Sequence, residues 1–335
     1  MNNRLISIVT PFKNRFDLFV ETFNSLQAQS DNRFEWIIVD DHSLDEEFEK
    51  LSEIGRDHNF IRIYKAKTFG SNAARNLGLS KVKTNFVVFL DSDDIVGSEF
   101  IMNRINIIEA NEKLDFYIFP VKLFFKSPND SKILWNIKTE EKDLNRFTRV
   151  DTPWHTTSPL WRKEFIEKIN RFNESCEIWQ DWELHIRALL HSPTYKWIDL
   201  REIDIFYRKT AENSISAKDN TNEGLLKRLS TYKLLIKSSH KFDRLQKINL
   251  AHGLFRIANE MTGIQRKKTL KEIKSLLKSN SLISNLEIKL SAIRVGMMKK
   301  KITTHFIDFL LHKIYKRNFL IADTTFQKIN DENNK

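Results

Sequence analysis

The first 120 residues alternate short apolar runs with segments of helical period, and few folds satisfy that pattern. Leu5 to Val9, Trp36 to Val39, Phe60 to Tyr64, Phe86 to Leu90 and Phe116 to Val121 are too short for helices. They are rich in β-branched and aromatic residues, as buried strands are. Between them, Phe19, Phe23 and Leu26 recur at i, i+4 and i+7. A polar helix is predicted near 45–57, another over Ser71 to Leu79 and a third from about Ser98 to Asn111. Strands separated by helices need crossover connections. The fold class is therefore α/β, with a mostly parallel central sheet covered on both faces.

Beyond residue 121 the pattern loosens. Phe124-Phe125 and Ile133-Leu134-Trp135 suggest a hairpin, Glu177 to Leu190 a helix, and Tyr195 to Ile198 and Ile203 to Tyr207 closing strands. The segment Trp154 to Trp161 reads as too polar for core. From 221 onward the chain is helical, with Leu225, Leu229 and Tyr232 on one face. Further helices are predicted near 241–260, 265–278 and 284–299, and Phe306, Leu310 and Ile314 line a last one. The expected organisation is 1–120, 121–220 and an α-helical C-terminal region over 221–335.

Charge follows this division. Residues 221–335 carry 24 Lys/Arg against 9 Asp/Glu, a net +15, whereas the whole chain is only +11. A basic field over the entire chain would suggest nucleic acid; confined to one third, it argues against it. It suggests instead a docking surface for something anionic, such as a membrane face, or a packed bundle with solvated cations. The single cysteine, Cys176, excludes an intramolecular disulfide and fits a reducing cytoplasm. The N-terminus lacks the apolar core of a signal peptide, and no run of about 18 apolar residues is present. The expected location is cytoplasmic, with peripheral membrane attachment through the basic third as the further expectation.

In open parallel sheets, ligands bind at the carboxyl ends of the strands. The polar clusters of this chain fall there: Thr10-Pro11-Phe12-Lys13-Asn14, Asp40-Asp41 and Asp91-Ser92-Asp93-Asp94. Paired carboxylates in a turn leaving a sheet suit a hard cation, Mn²⁺ or Mg²⁺. Asp41 offers an acceptor for a base or ribose, although an Asx-turn is an equally ordinary use of Asp there. Pro11 is expected to break the first strand and leave Phe12 free to stack on a flat base. Arg75, in the first turns of its helix, suits phosphate. Trp154 to Trp161 is expected to form an acceptor wall containing His155 and Trp161.

Four segments in order carry a resemblance: Ser7 to Asn14, Ile38-Val39-Asp40-Asp41-His42-Ser43, Ala74-Arg75-Asn76-Leu77-Gly78, and Phe89-Leu90-Asp91-Ser92-Asp93-Asp94. Together, over about residues 4–216, they resemble the family 2 inverting glycosyltransferases of GT-A fold. The resemblance implies a nucleotide-sugar-binding half over 1–120, an acceptor-binding half over 121–220, a nucleotide-sugar donor and a glycan or lipid-linked acceptor. It implies Thr10, Pro11, Phe12, Asn14, Asp41, Arg75, Asp91 and Ser92 around the donor. Asp93 would be the more direct metal ligand, with Asp91 beside it and towards the ribose. His155, Trp161 and Trp182 would face the acceptor, and Tyr207-Arg208, Ser214 and Ser216 the diphosphate. Asp181 would be the catalytic base. In Gln180-Asp181-Trp182, Gln180 stands where the family usually has Glu, and Phe12 stands where Tyr is more usual. The departure at Gln180 motivates the alternative of a sugar-nucleotide-binding homologue without turnover.

Overall fold

The computed structural model describes residues 4–110, 113–135, 137–209, 221–299 and 327–328. The expected helix through Phe306, Leu310 and Ile314, and the closing residues Ser214 and Ser216, lie outside the described residues.

Four strands and three helices alternate first: β1 (Ile6–Phe12), α1 (Phe16–Gln27), β2 (Phe34–Asp40), α2 (Asp45–Asp57), β3 (Ile61–Lys65), α3 (Ser71–Lys81) and β4 (Phe86–Phe89). The short β5 (Ile95–Val96) precedes α4 (Phe100–Glu109), β6 (Phe116–Ile118), β7 (Lys122–Phe124) and β8 (Ile133–Leu134). Then come α5 (Asp143–Thr148), β9 (Pro159–Arg162), α6 (Lys163–Lys168), α7 (Gln180–Leu189), β10 (Tyr195–Trp197) and β11 (Ile205–Arg208). The helices α8 (Asn222–Ile236), α9 (Arg244–Glu260), α10 (Gly263–Ser279) and α11 (Asn285–Lys299) follow, and β12 (Gln327–Lys328) pairs with β8.

The main sheet has seven strands in the order β10-β6-β9-β4-β1-β2-β3. Its pairs are parallel except where β9 runs antiparallel between β4 and β6. A second sheet joins β12, β8, β7, β11 and β5. This is the mixed α/β architecture expected, with helices following in the C-terminal region.

β1 corrects one expectation. The strand does not break at Pro11 but pairs with β2 through Phe12. Val9 accepts the amide of Leu90, so residues 9 and 11 turn their backbone groups towards β4, whose ladder ends at Val9. The missing N–H of Pro11 therefore costs no sheet hydrogen bond. Because the strand continues, its alternation continues as well. Ile8, Thr10 and Phe12 enter one face and Val9 the other.

Each face of the sheet covers a core. One, under α1 and α4, holds Phe12, Phe19, Trp36 and Phe100. The other holds Val9, Phe89, Phe116, Trp154 and Trp161 and runs on into Leu229, Tyr232, Leu254 and Ile273 of the C-terminal helices. The described C-terminal helices are thus packed onto the α/β unit through α8, where Tyr232 meets Trp182 at 4.9 Å between ring centroids. Among the described residues no helix is long and apolar enough to cross a membrane.

Trp154 to Trp161 is a further correction. The segment is buried throughout and ends in β9, at the centre of the sheet. Some of its polar groups are paired: the amide of His155 donates to Ser158 Oγ at 3.2 Å, and Phe119 N to Ser158 O at 3.0 Å, while Trp154 Nε1, Thr157 Oγ1 and Trp161 Nε1 are buried with no hydrogen-bond partner among the described residues.

Candidate active site

The carboxyl ends of β4, β1 and β2 lie side by side, and the predicted polar clusters leave from them. After β4, the turn Asp91 to Asp94 is closed by the amide of Asp94 on Asp91 O. Its frame is borrowed from elsewhere. The hydroxyl of Thr22 in α1 lies 2.7 Å from Asp94 O and 3.1 Å from Ser92 O. Arg208 at the end of β11 donates its amide to Asp94 Oδ1 and its Nε to Asp93 O, and its Nη2 pairs with Glu21 at 2.9 Å.

Arg75 is the central cation. α3 approaches β1 so closely that a Cβ on Gly78 would sit 2.4 Å from Val9 Cγ1, and this fixes the helix over the strand ends. Arg75 is buried over the ring of Phe172; its Nη2 donates to Asp91 Oδ1 at 2.7 Å and its Nη1 to Gln180 Oε1 at 2.8 Å. Ser71 Oγ donates to the same Gln180 oxygen at 2.7 Å. Gln180 therefore joins α3 to the start of α7. Next to it, Asp181 accepts from Thr156 Oγ1 at 3.1 Å and from the amide of Trp182 at 2.8 Å.

Three carboxylates on one turn repel one another. Burial opposes ionisation of Asp91, but Arg75 and then His155 outweigh it and hold its carboxyl below the usual range. Burial and the negative charges of Asp93 and Asp91 push Asp94 well above that range. Burial, then Asp91, pushes Asp93 up as well.

Asp91, Asp94 and His155 each offer one ligand atom, and these atoms lie within 4.8 Å of one another. Asp94 Oδ2 is buried with no hydrogen-bond partner among the described residues. An unpartnered carboxylate oxygen is costly, and a divalent cation would satisfy it. Burial depresses the pKa of His155, so its imidazole is neutral, the form that ligates. These residues fit a divalent ion. The expected pair was Asp91 with Asp93; the geometry instead groups Asp91 with Asp94 and His155. Asp93 points to Arg15 at 3.3 Å.

The remaining expected site residues divide. Asp41 is buried at the end of β2, where it accepts the amide of Gly70 at 2.8 Å and lies 4.0 Å from Lys13 Nζ. Beside it, Phe69 is 70% exposed and stacked on His42 at 3.6 Å, an arrangement the sequence reading missed. Ser92 presents its carbonyl to Thr22. Asn14 fastens the next loop, accepting from Leu44 N at 3.0 Å. Pro11 is half-buried at the strand end. Thr10 is buried, its hydroxyl accepting from Trp36 Nε1 at 2.8 Å. Phe12 has no exposed surface and packs edge-on against Phe19, so it presents no face to a base. Trp161 is equally enclosed between Phe116 and Phe165, and Trp182 donates its indole N–H to Phe147 O. Neither presents a face to an acceptor. His155 belongs to the carboxylate cluster, packed against Trp135 and Tyr207.

The fold and the acidic crevice define a GT-A-type α/β protein. Residues 7–168 match the profile of Glycosyl transferase family 2. The chain is 26% identical over 186 residues to an uncharacterized glycosyltransferase of Rickettsia conorii, covering 53% of this chain and 30% of the relative. Against the minor teichoic acid biosynthesis protein GgaA of Bacillus subtilis, identity is 26% over 62% of this chain and 48% of the relative. The chain thus spans less than half the length of these relatives. In structure it is similar to residues 1–349 of S. aureus TarS in complex with UDP-GlcNAc. The TM-score is 0.65 at 16% identity, covering 98% of this chain and 97% of that one.

Proposed function

We propose that this crevice transfers a sugar from a nucleoside-diphosphate sugar to an acceptor hydroxyl with inversion, in the synthesis of a surface polysaccharide or glycolipid. The observation that carries this reading is the convergence of Asp91, Asp94, His155 and Arg75 with Asp181 at the carboxyl ends of the strands. The UDP-GlcNAc complex of TarS favours a uridine-diphosphate sugar as donor, and the kinship with GgaA favours a surface polymer as product.

Asp181 takes the proton of the acceptor hydroxyl as the oxygen attacks the anomeric carbon. The donors Thr156 Oγ1 and Trp182 N hold its carboxylate in one orientation, which is what a base must have before the substrate arrives. Opposite it, the departing diphosphate accumulates negative charge, and Arg75 and the amino-terminal turn of α3 face it with positive charge. Asp91, Asp94 and His155 would hold Mn²⁺ or Mg²⁺, which when bound supplies further charge to the diphosphate. Asp41 at the end of β2 faces the nucleobase. The proposed location is cytoplasmic, at the inner face of a membrane.

Asp181→Asn tests the assignment. It should abolish sugar transfer and slow donor hydrolysis while UDP-GlcNAc still binds, measured by UDP release and by calorimetry. Unchanged turnover would remove Asp181 from its role. A wild-type chain that binds UDP-GlcNAc but never releases UDP would favour a binding homologue without turnover.

A further inference from the structure

A basic site stands apart from the acidic crevice. The amino-terminal end of α9, the carboxyl-terminal end of α10 and the start of α11 border an open cleft of about 490 Å³. It shares no lining residue with the α/β unit. Arg244, Lys247 and Lys278 surround it, together with Ser281 and Ser284. One cation is already neutralised, since Arg244 pairs with Glu287 at 3.0 Å. Glu287 cannot turn to the other two. It is 3% exposed and accepts the amide of Ser284 at 2.5 Å as well as the Arg244 guanidinium. Lys247 and Lys278 therefore have no carboxylate partner among the described residues. The floor beneath them is the buried pair Leu282 and Ile283, which lowers the local dielectric and strengthens a charge held there. The first turn of α11 reaches the same space through Asn285, with the amide of Glu287 capped by Ser284 Oγ at 3.4 Å. The planar fork that suits carboxylates is occupied; what remains is two ammonium groups and two hydroxyls, the donor set for a tetrahedral oxyanion.

We propose that this cleft binds a phosphate ester. The site does not depend on the catalytic reading of the crevice and would stand if that reading failed. The phosphate can come from a lipid headgroup or from a soluble or polymeric phosphate ester.

The test titrates the full chain with inorganic phosphate and with glycerol 1-phosphate by calorimetry. It compares wild type with Lys247→Gln/Lys278→Gln and with a charge-matched control, Lys267→Gln/Lys271→Gln, on the outer surface of α10. The expected result is saturable binding weakened at least about tenfold in the first variant, the equivalent of ~1.4 kcal/mol, and unchanged in the control. UDP binding should be equal in all three. Equal phosphate affinity in wild type and Lys247→Gln/Lys278→Gln would overturn the proposal, as would equal weakening by the control or no saturable binding at all. Vesicles of phosphatidylcholine with and without phosphatidylglycerol then separate the sources. Parallel loss of phosphate and anionic-vesicle binding identifies a lipid headgroup. Loss of phosphate binding with vesicle binding intact identifies a non-lipid ester.

Discussion

Removing the Arg75 guanidinium should destabilise the fold in a way that a second substitution partly repairs. In Arg75→Met the side-chain volume is nearly kept, but two short hydrogen bonds are lost, to Asp91 at 2.7 Å and Gln180 at 2.8 Å. Charge-assisted bonds of this kind contribute about 1.5–3 kcal/mol each. Breaking a fully buried pair costs about 3–5 kcal/mol because a charge is left uncompensated. The Arg75 side chain is 8% exposed, but that of Asp91 is 27% exposed, so solvent relieves part of the penalty. The net expectation is about 3 kcal/mol in urea unfolding. Adding Asp91→Asn removes the stranded charge and should return about 1–2 kcal/mol of that loss. In the wild-type background the same Asp91→Asn should destabilise, since it removes the partner of Arg75. The sign of the Asp91→Asn effect must therefore reverse between the two backgrounds. If Asp91→Asn destabilises equally in both, Arg75 is not the counterion that keeps Asp91 ionised.

Three further outcomes follow from the same geometry. Asp94→Asn and His155→Gln should each weaken Mn²⁺ binding by about tenfold or more, as loss of one ligand does, whereas Asp93→Asn should change it less; titration of the metal in the absence of donor measures this. Phe12→Ala should cost about 3–5 kcal/mol in unfolding free energy, and Phe12→Leu much less, with UDP affinity unchanged in the leucine variant, because the ring fills the core and not the crevice. His185 is buried on Trp161, and burial depresses its pKa to about 4. It is neutral when folded and takes a proton when unfolded below about 6.5, so stability should fall as pH falls from about 6.5 to about 4. The loss reaches about 3 kcal/mol by pH 4 from this group. Urea midpoints at pH 7 and pH 5 should converge in His185→Phe relative to wild type.

Much of this arrangement could be read in the residues. The apolar runs before Asp40 and Asp91 are strands because period and composition agree, and parallel crossover then places their polar ends together. The helices from 221 to 299 follow from the same kind of repeat. What could not be read was everything that depends on a contact distant in sequence. Thr22 sits on the buried face of α1 and looks like an ordinary helix residue, yet it holds the turn of Asp94 from 72 residues away. Gln180 looked like a lost charge; its oxygen joins Arg75 to Ser71, which a neutral amide does without competing for the arginine. His155 and its hydroxyl-bearing neighbours looked like surface because what surrounds them, Asp181 for Thr156 and Trp135 and Tyr207 for His155, is distant in sequence. Phe12 was misplaced through one local rule, the breaking power of proline, which does not operate on a strand side whose ladder has already ended.

The antiparallel strand at the centre of the main sheet also orders events in time. β4 is synthesised early and its partner β1 is then already present, but the strand that covers its other edge begins only at Pro159. Until that segment leaves the ribosome, Phe86 to Phe89 present open backbone donors and acceptors on an apolar strand, the template on which strands of other chains pair. A nascent chain stopped anywhere between β4 and β9 therefore carries its stickiest edge uncovered, and the arrival of residues 159–162 both joins β6 to β4 and ends that exposure.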